Sequence, residues 1–270
     1  MTEIYNISNG GKRKKSIVGI FIVICIFIIA INGMLYSYKI IYNYKVNSKK
    51  TEAFSNNKYP YTISLRCNHS KKEKMAAVRV GNEHFKVHED LHNHEDAAKL
   101  MSKLNITAKT LIAHLNDKYA YNSKYYNMIN PLYKNRVIDG INDLTINYQT
   151  PNLEENIPER SGGDTSYVID KGDTFAMCLR SPENNNNLED NYNDLTFVLI
   201  HEMAHLFTKT YGHDFMFWSN FKFLLEEAIL INIYQPINYK TDNSPYCGIK
   251  ITYSPLYDKD LPNYLNIESL

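Results

Sequence analysis

Only four cysteines occur in 270 residues, and no two of them stand in a C-x-x-C spacing. That scarcity disfavours a thiolate zinc knuckle. No internal repeat is visible, so residues 57–270 are expected to form one domain. Acidic residues outnumber basic ones beyond the N-terminus. Residues 1–50 hold eight Lys or Arg against the single acid Glu3, which leaves 22 basic and 28 acidic residues for the rest. An acidic body argues against a nucleic-acid surface, because phosphate contacts need clustered Lys and Arg. Hydrophobic residues, at 44%, are ample for a core.

The longest apolar stretch runs unbroken for 15 residues, Ile17 to Ile31, and continues with mild interruption to Tyr36. Counted to Tyr36 it reaches about the ~20 residues that cross a bilayer. Lys12–Lys15 flank one edge, and Tyr36, Tyr38, Tyr42 and Tyr44 crowd the other as interfacial aromatics would. No A-x-A-like cleavage site follows, which disfavours a signal peptide. The expected organisation is a basic cytosolic tail (1–15), a transmembrane anchor (16–37), a polar linker (38–56) and a body (57–270). The basic cluster places that body across the membrane from the N-terminus.

Within the body, 61–67 and 76–87 alternate apolar and polar residues, and Gly81-Asn82 breaks the second into a hairpin. Apolar residues at three- and four-residue spacing predict a helix from about His94 to Leu115. The stretch 124–133 reads as a short helical turn, and 138–164 reads as irregular. Two strands, 165–170 and 174–180, are expected around a Lys171-Gly172-Asp173 turn. His84, His88, His92 and His94 fit no single helical face and read as a solvated turn.

The stretch "HEMAHLFTKTYGHDFMFW" (201–218) carries the chemistry. It continues a helix over 194–209, with Asn193 or Asp194 as N-cap, that is apolar nearly all round and so buried. Buried ionisable groups are costly unless paired or bound to metal. His201 and His205, four apart, share a helix face and can converge on one Zn2+. Glu202 is offset from them and can reach a zinc-activated water as general base. Zinc hydrolases use three protein ligands. His213, after a turn at Tyr211-Gly212, is the preferred third ligand, with Glu226 or Glu227 as the alternative. Phe217 and Phe221 through Ile229 give the next helix an apolar stripe that packs on the metal helix.

These residues resemble the signature of the WLM, SprT and YgjP-like zinc metallopeptidases: HExxH, a short gap, then a histidine followed by an aromatic pair, here Phe217-Trp218. The likeness extends over roughly 76–257, including "FKVHEDL" and "TFAMCLR", and is to WLM-type proteins of large DNA viruses. It implies zinc on His201, His205 and His213, Glu202 as general base, and a protein or peptide substrate. The implied fold class is α+β: a single transmembrane helix, then a minimal zincin-like domain with a small antiparallel sheet packed on the HExxH helix. The strand at 174–180 would offer its edge to an extended substrate. Phe175, Met177, Arg180, Tyr211 and Tyr246 are candidate substrate-contacting residues. Rival readings are an inactive zinc-containing virion or membrane protein and a tethered peptide-binding module. If the body faces an oxidising compartment, Cys178–Cys247 is the preferred disulfide, and Asn68 and Asn105 head glycosylation sequons.

Overall fold

The computed structural model describes residues 50–53, 64–65 and 74–265, all within a compact unit that begins at Lys50. Eleven strands occur among them: β1 (Lys50–Ala53), β2 (Ser64–Leu65), β3 (Met75–Val80), β4 (Glu83–His88), β5 (Leu153–Asn156), β6 (Tyr167–Ile169), β7 (Thr174–Cys178), β8 (Arg180–Ser181), β9 (Asn187–Leu188), β10 (Ser244–Tyr246) and β11 (Ile249–Ile251). The helices are α1 (His94–Lys118), α2 (Lys124–Met128), α3 (Lys134–Asn147), α4 (Pro158–Ser161), α5 (Tyr192–Phe207) and α6 (Phe215–Leu230). Strand β1 lies inside the 38–56 stretch read as a linker.

Seven strands make one sheet in the order β2-β1-β6-β7-β5-β4-β3. The hairpin β3–β4 closes at Gly81-Asn82, with Val80 opposite Glu83. Strand β5 lies between β4 and β7 and runs parallel to both. Parallel neighbours need a long crossover, and helices α1 to α3 make it between β4 and β5. The remaining pairs, β7–β6, β6–β1 and β1–β2, are antiparallel.

The expected fold class therefore needs correction. The protein is α+β, but its sheet is large and mixed rather than small and antiparallel, because the stretch 138–164, read as irregular, supplies β5, which pairs in parallel on both sides, and most of α3. No helix among the described residues is long and apolar enough to cross a membrane. The apolar run at 17–36, with the tail before it, lies outside the described residues.

Helix α3 was obscured by Gly140, which resembles a breaker. Val137, Gly140, Ile141 and Leu144 are its buried residues, the i, i+3, i+4, i+7 set of a core-facing stripe. Gly140 is there for close approach: an added Cβ would lie 2.2 Å from Cε1 of the buried Phe207 ring on α5. Overpacking of this kind costs about 1–3 kcal/mol, against the ~1 kcal/mol by which Ala exceeds Gly as a helix former. We expect Gly140→Ala to lower the denaturation midpoint, and a midpoint at or above wild type would show the ring moving aside freely.

Helix α5 is the centre of the fold, with α1, α3 and α6 packed around it and β6 and β10 beside it. Glu227 of α6 ties that layer to α1. Its carboxylate accepts from Lys118 Nζ (2.8 Å to each oxygen) and the Tyr119 hydroxyl (2.6 Å), and lies 2.7 Å from His114 Nε2.

Two smaller expectations are also revised. Asn105 is fully buried in α1, donating to Glu83 and accepting from Tyr148 and Thr150, so a glycan there is incompatible with the fold. Asn68 lies outside the described residues. His88 is buried rather than solvated: its N–H donates to Glu155 and its Nδ1 lies 3.1 Å from Arg160.

Candidate metal centre

Helix α5 begins two residues earlier than the sequence suggests. Asn191 is its N-cap, accepting from the N–H groups of Asn193 (3.1 Å) and Asp194 (3.3 Å). Asp194 is instead a buried acceptor for Tyr239 (2.6 Å), Asn191 (2.7 Å) and Ser244. These bonds pin the start of the helix to the β10 segment. The apolar residues that follow bury the helix on every side, and His201, Glu202 and His205 are carried into the interior with 0% exposure.

The chain then reverses. Gly212 takes φ +81, a left-handed value that glycine adopts without a Cβ clash. Asp214 caps α6 by accepting from Phe217 N–H at 2.8 Å. His213, held between the turn and the cap, is 7% exposed. Its Nε2 lies 2.9 Å from His201 Nε2 and 3.1 Å from His205 Nε2. Phe217 floors the cluster, its ring centroid 4.9, 4.4 and 4.6 Å from the rings of His201, His205 and His213.

This arrangement fits a metal ion. Two imidazole nitrogens bound tetrahedrally to zinc at ~2.0–2.1 Å stand about 3.3 Å apart, close to the spacings seen. A neutral imidazole has one N–H, so His213 Nε2 cannot donate across both contacts, whereas one cation can accept all three lone pairs. Burial holds His201 well below the usual histidine range, helped by its neighbours His213 and His205. Neutral rings are the form that ligates metal. Among the described residues these three histidines are the one group of three or more His, Cys, Asp or Glu side chains with converging ligand atoms. Glu226 and Glu227 are not in it. Glu227 is engaged with α1, and burial pushes the Glu226 carboxyl up to about 7.

The other site candidates are placed differently. Phe175 and Met177 are buried in the main core, Phe175 edge-on to Tyr148 at 5.5 Å. Strand β7 is interior, paired with β6 and β5, so it has no free edge for a substrate backbone. Arg180 is fully buried: its Nε donates to Glu155 Oε1 at 2.6 Å and its Nη1 to the carbonyls of His92 and Asn186. Tyr211 lies in the loop before His213, under the Lys171 ammonium at 4.4 Å. Tyr246 is buried nearer the centre. Its hydroxyl lies 2.7 Å from Ser166 Oγ and donates to the Cys178 carbonyl at 2.9 Å. Burial pushes that hydroxyl well up, and the Glu202 charge adds to the shift. Cys178 and Cys247 form a disulfide that fastens the β10–β11 hairpin, with Tyr246, to the end of β7.

Fold and cluster together define an α+β protein with a buried three-histidine centre. Over 163 residues the chain is 32% identical to uncharacterized protein R325 of Acanthamoeba polyphaga mimivirus, covering 60% of this chain and 75% of that protein. The chain belongs to the same family. A second relative, uncharacterized protein 136R of Invertebrate iridescent virus 6, is 33% identical over 72 residues, or 27% of this chain and 40% of that one. No family model and no solved structure matches the chain.

Proposed function

We propose that this protein is a zinc-dependent peptidase in which His201, His205 and His213 hold the ion and Glu202 is the general base. The convergence of three imidazole Nε2 atoms, beside a carboxylate that directly follows the first ligand, carries this reading. The resemblance to WLM, SprT and YgjP-like metallopeptidases supports it. A bound Zn2+ would supply Lewis acidity towards a carbonyl and acidify water. Three protein ligands leave one position of a tetrahedral ion for that chemistry.

The chain's own residues do the rest. Glu202 accepts the proton of the attacking water and returns it to the leaving amine nitrogen. Phe217 and Trp218 exclude bulk water beneath the histidines, which strengthens electrostatic interactions in the site. The burial of Glu202 and of all three histidines also favours a second reading, a metal-holding protein without turnover.

Metal analysis of the full chain tests the ligand set. About one zinc ion per chain is expected. His201→Ala and His205→Ala should lose it, and His213→Ala should weaken binding strongly. Full zinc retention in His213→Ala would refute the three-histidine assignment.

A further inference from the structure

We infer that Lys171 is a positioning residue for the three-histidine centre, clamping the loop that delivers His213 to the end of the helix that carries His201 and His205. This rests on the metal-binding reading above. The Lys171 ammonium donates to the carbonyl of His205 at 2.9 Å and to that of Thr210 at 2.8 Å. It also lies 4.4 Å from the centroid of the Tyr211 ring.

Those contacts fall on both sides of the chain reversal. The last carbonyls of a helix have no intrahelical donor. In α5 the Ala204 carbonyl is taken by Thr208 N–H at 3.0 Å, and the His205 carbonyl by Lys171. Thr210 and Tyr211 immediately precede Gly212 and His213. One ammonium therefore links the backbone of the second ligand to the loop that leads into the third. Three donors on a compact cation suit two carbonyls and an aromatic face. A lysine that served only to cap the helix would have no reason to hold Thr210 and Tyr211.

The base from which Lys171 projects is itself held. Asp170, Lys171 and Gly172 have φ values of +44, +56 and +119. Non-glycine residues keep left-handed conformations only where their surroundings over-determine them. Here Gly172 O accepts from Asn152 Nδ2 at 2.7 Å, and a Cβ on Gly172 would stand 2.5 Å from the Asn147 carbonyl at the end of α3. The turn is seated against that helix end, so Lys171 reaches the loop from a fixed point.

The test uses the full chain as wild type, Lys171→Met, Lys171→Arg and, as a control, Lys99→Met at an exposed lysine paired with Asp96 within α1. Metal-free proteins are titrated with Zn2+ against a chelating indicator, loaded with Co2+ for its absorption bands, and followed by amide hydrogen exchange. Lys171→Met should bind Zn2+ about 10–100-fold more weakly, the range for groups that orient metal ligands. Its Co2+ bands should shift and exchange should rise at 208–213. Lys171→Arg should recover most of the affinity, and Lys99→Met should match wild type. Wild-type Zn2+ affinity and Co2+ bands in Lys171→Met would overturn the inference while leaving the proposed function standing. Absence of Zn2+ uptake by wild type would overturn both. Should Lys171→Met fail to fold, Lys171→Gln carries the same test: weaker binding supports the clamp and wild-type binding overturns it.

Discussion

Glu202→Gln should keep its zinc and its thermal stability while peptide hydrolysis falls by about 10²–10⁴-fold, the usual contribution of a general base. Glutamine preserves the shape of the side chain and removes its basicity. Position 202 is fully buried, and burying a neutral amide costs less than burying a carboxylate, so no loss of stability is expected. Metal content should hold because the three converging nitrogens belong to His201, His205 and His213. The measurement is cleavage of a denatured protein and of a mixed peptide library by the zinc-loaded full chain. Undiminished hydrolysis in Glu202→Gln would remove Glu202 from the mechanism. Loss of zinc in that variant would make Glu202 a ligand. Inactivity of the wild type on every substrate would favour the metal-holding reading.

Arg180→Met should destabilise the protein by about 3–5 kcal/mol, the range for removing one partner of a buried ion pair. Arg180 and Glu155 are both 0% exposed and meet at 2.6 Å. The guanidinium also holds the carbonyls of His92 and Asn186, on two separate loops. Methionine fills part of the space and leaves the Glu155 charge facing the interior, with one of its acceptor bonds, from His88 N–H, remaining. Denaturant unfolding measures the effect. The double variant Arg180→Met/Glu155→Gln should recover part of the loss, since it removes the orphaned charge. A single variant within 1 kcal/mol of wild type would show water or rearrangement compensating.

Residues that act locally were legible in the sequence. The i, i+4 spacing of His201 and His205 puts both imidazoles on one face of any helix, whatever surrounds it. The apolar residues around them require that helix to be buried. Gly212 announces the reversal, because a positive φ is a property of the residue and not of its neighbours. The hairpin follows from strand alternation and the Gly81-Asn82 turn pair, and the long helix after His94 from its three- and four-residue spacing, although it runs on past Leu115 to Lys118.

What depends on contacts distant in sequence was settled only by the tertiary structure. Gly140 looks like a helix breaker until the Phe207 ring is seen to occupy the place of its Cβ. Strand β5 is four residues long, with no alternation to mark it, and becomes a strand because β4 and β7 pair with it on both sides. That same pairing makes the sheet mixed and closes the edge of β7. Arg180 looks like a residue for binding substrate until Glu155, 25 positions earlier, claims it. Lys171 has no local signature, since its partners are carbonyls 34 and 39 residues away. Helical periodicity and turn propensity reach over a few residues, so the sequence by itself determined the helix that carries His201 and His205 and the reversal after it. The neighbours of that helix were decided by packing, where side chains compete for the same volume and buried charges find their counterparts.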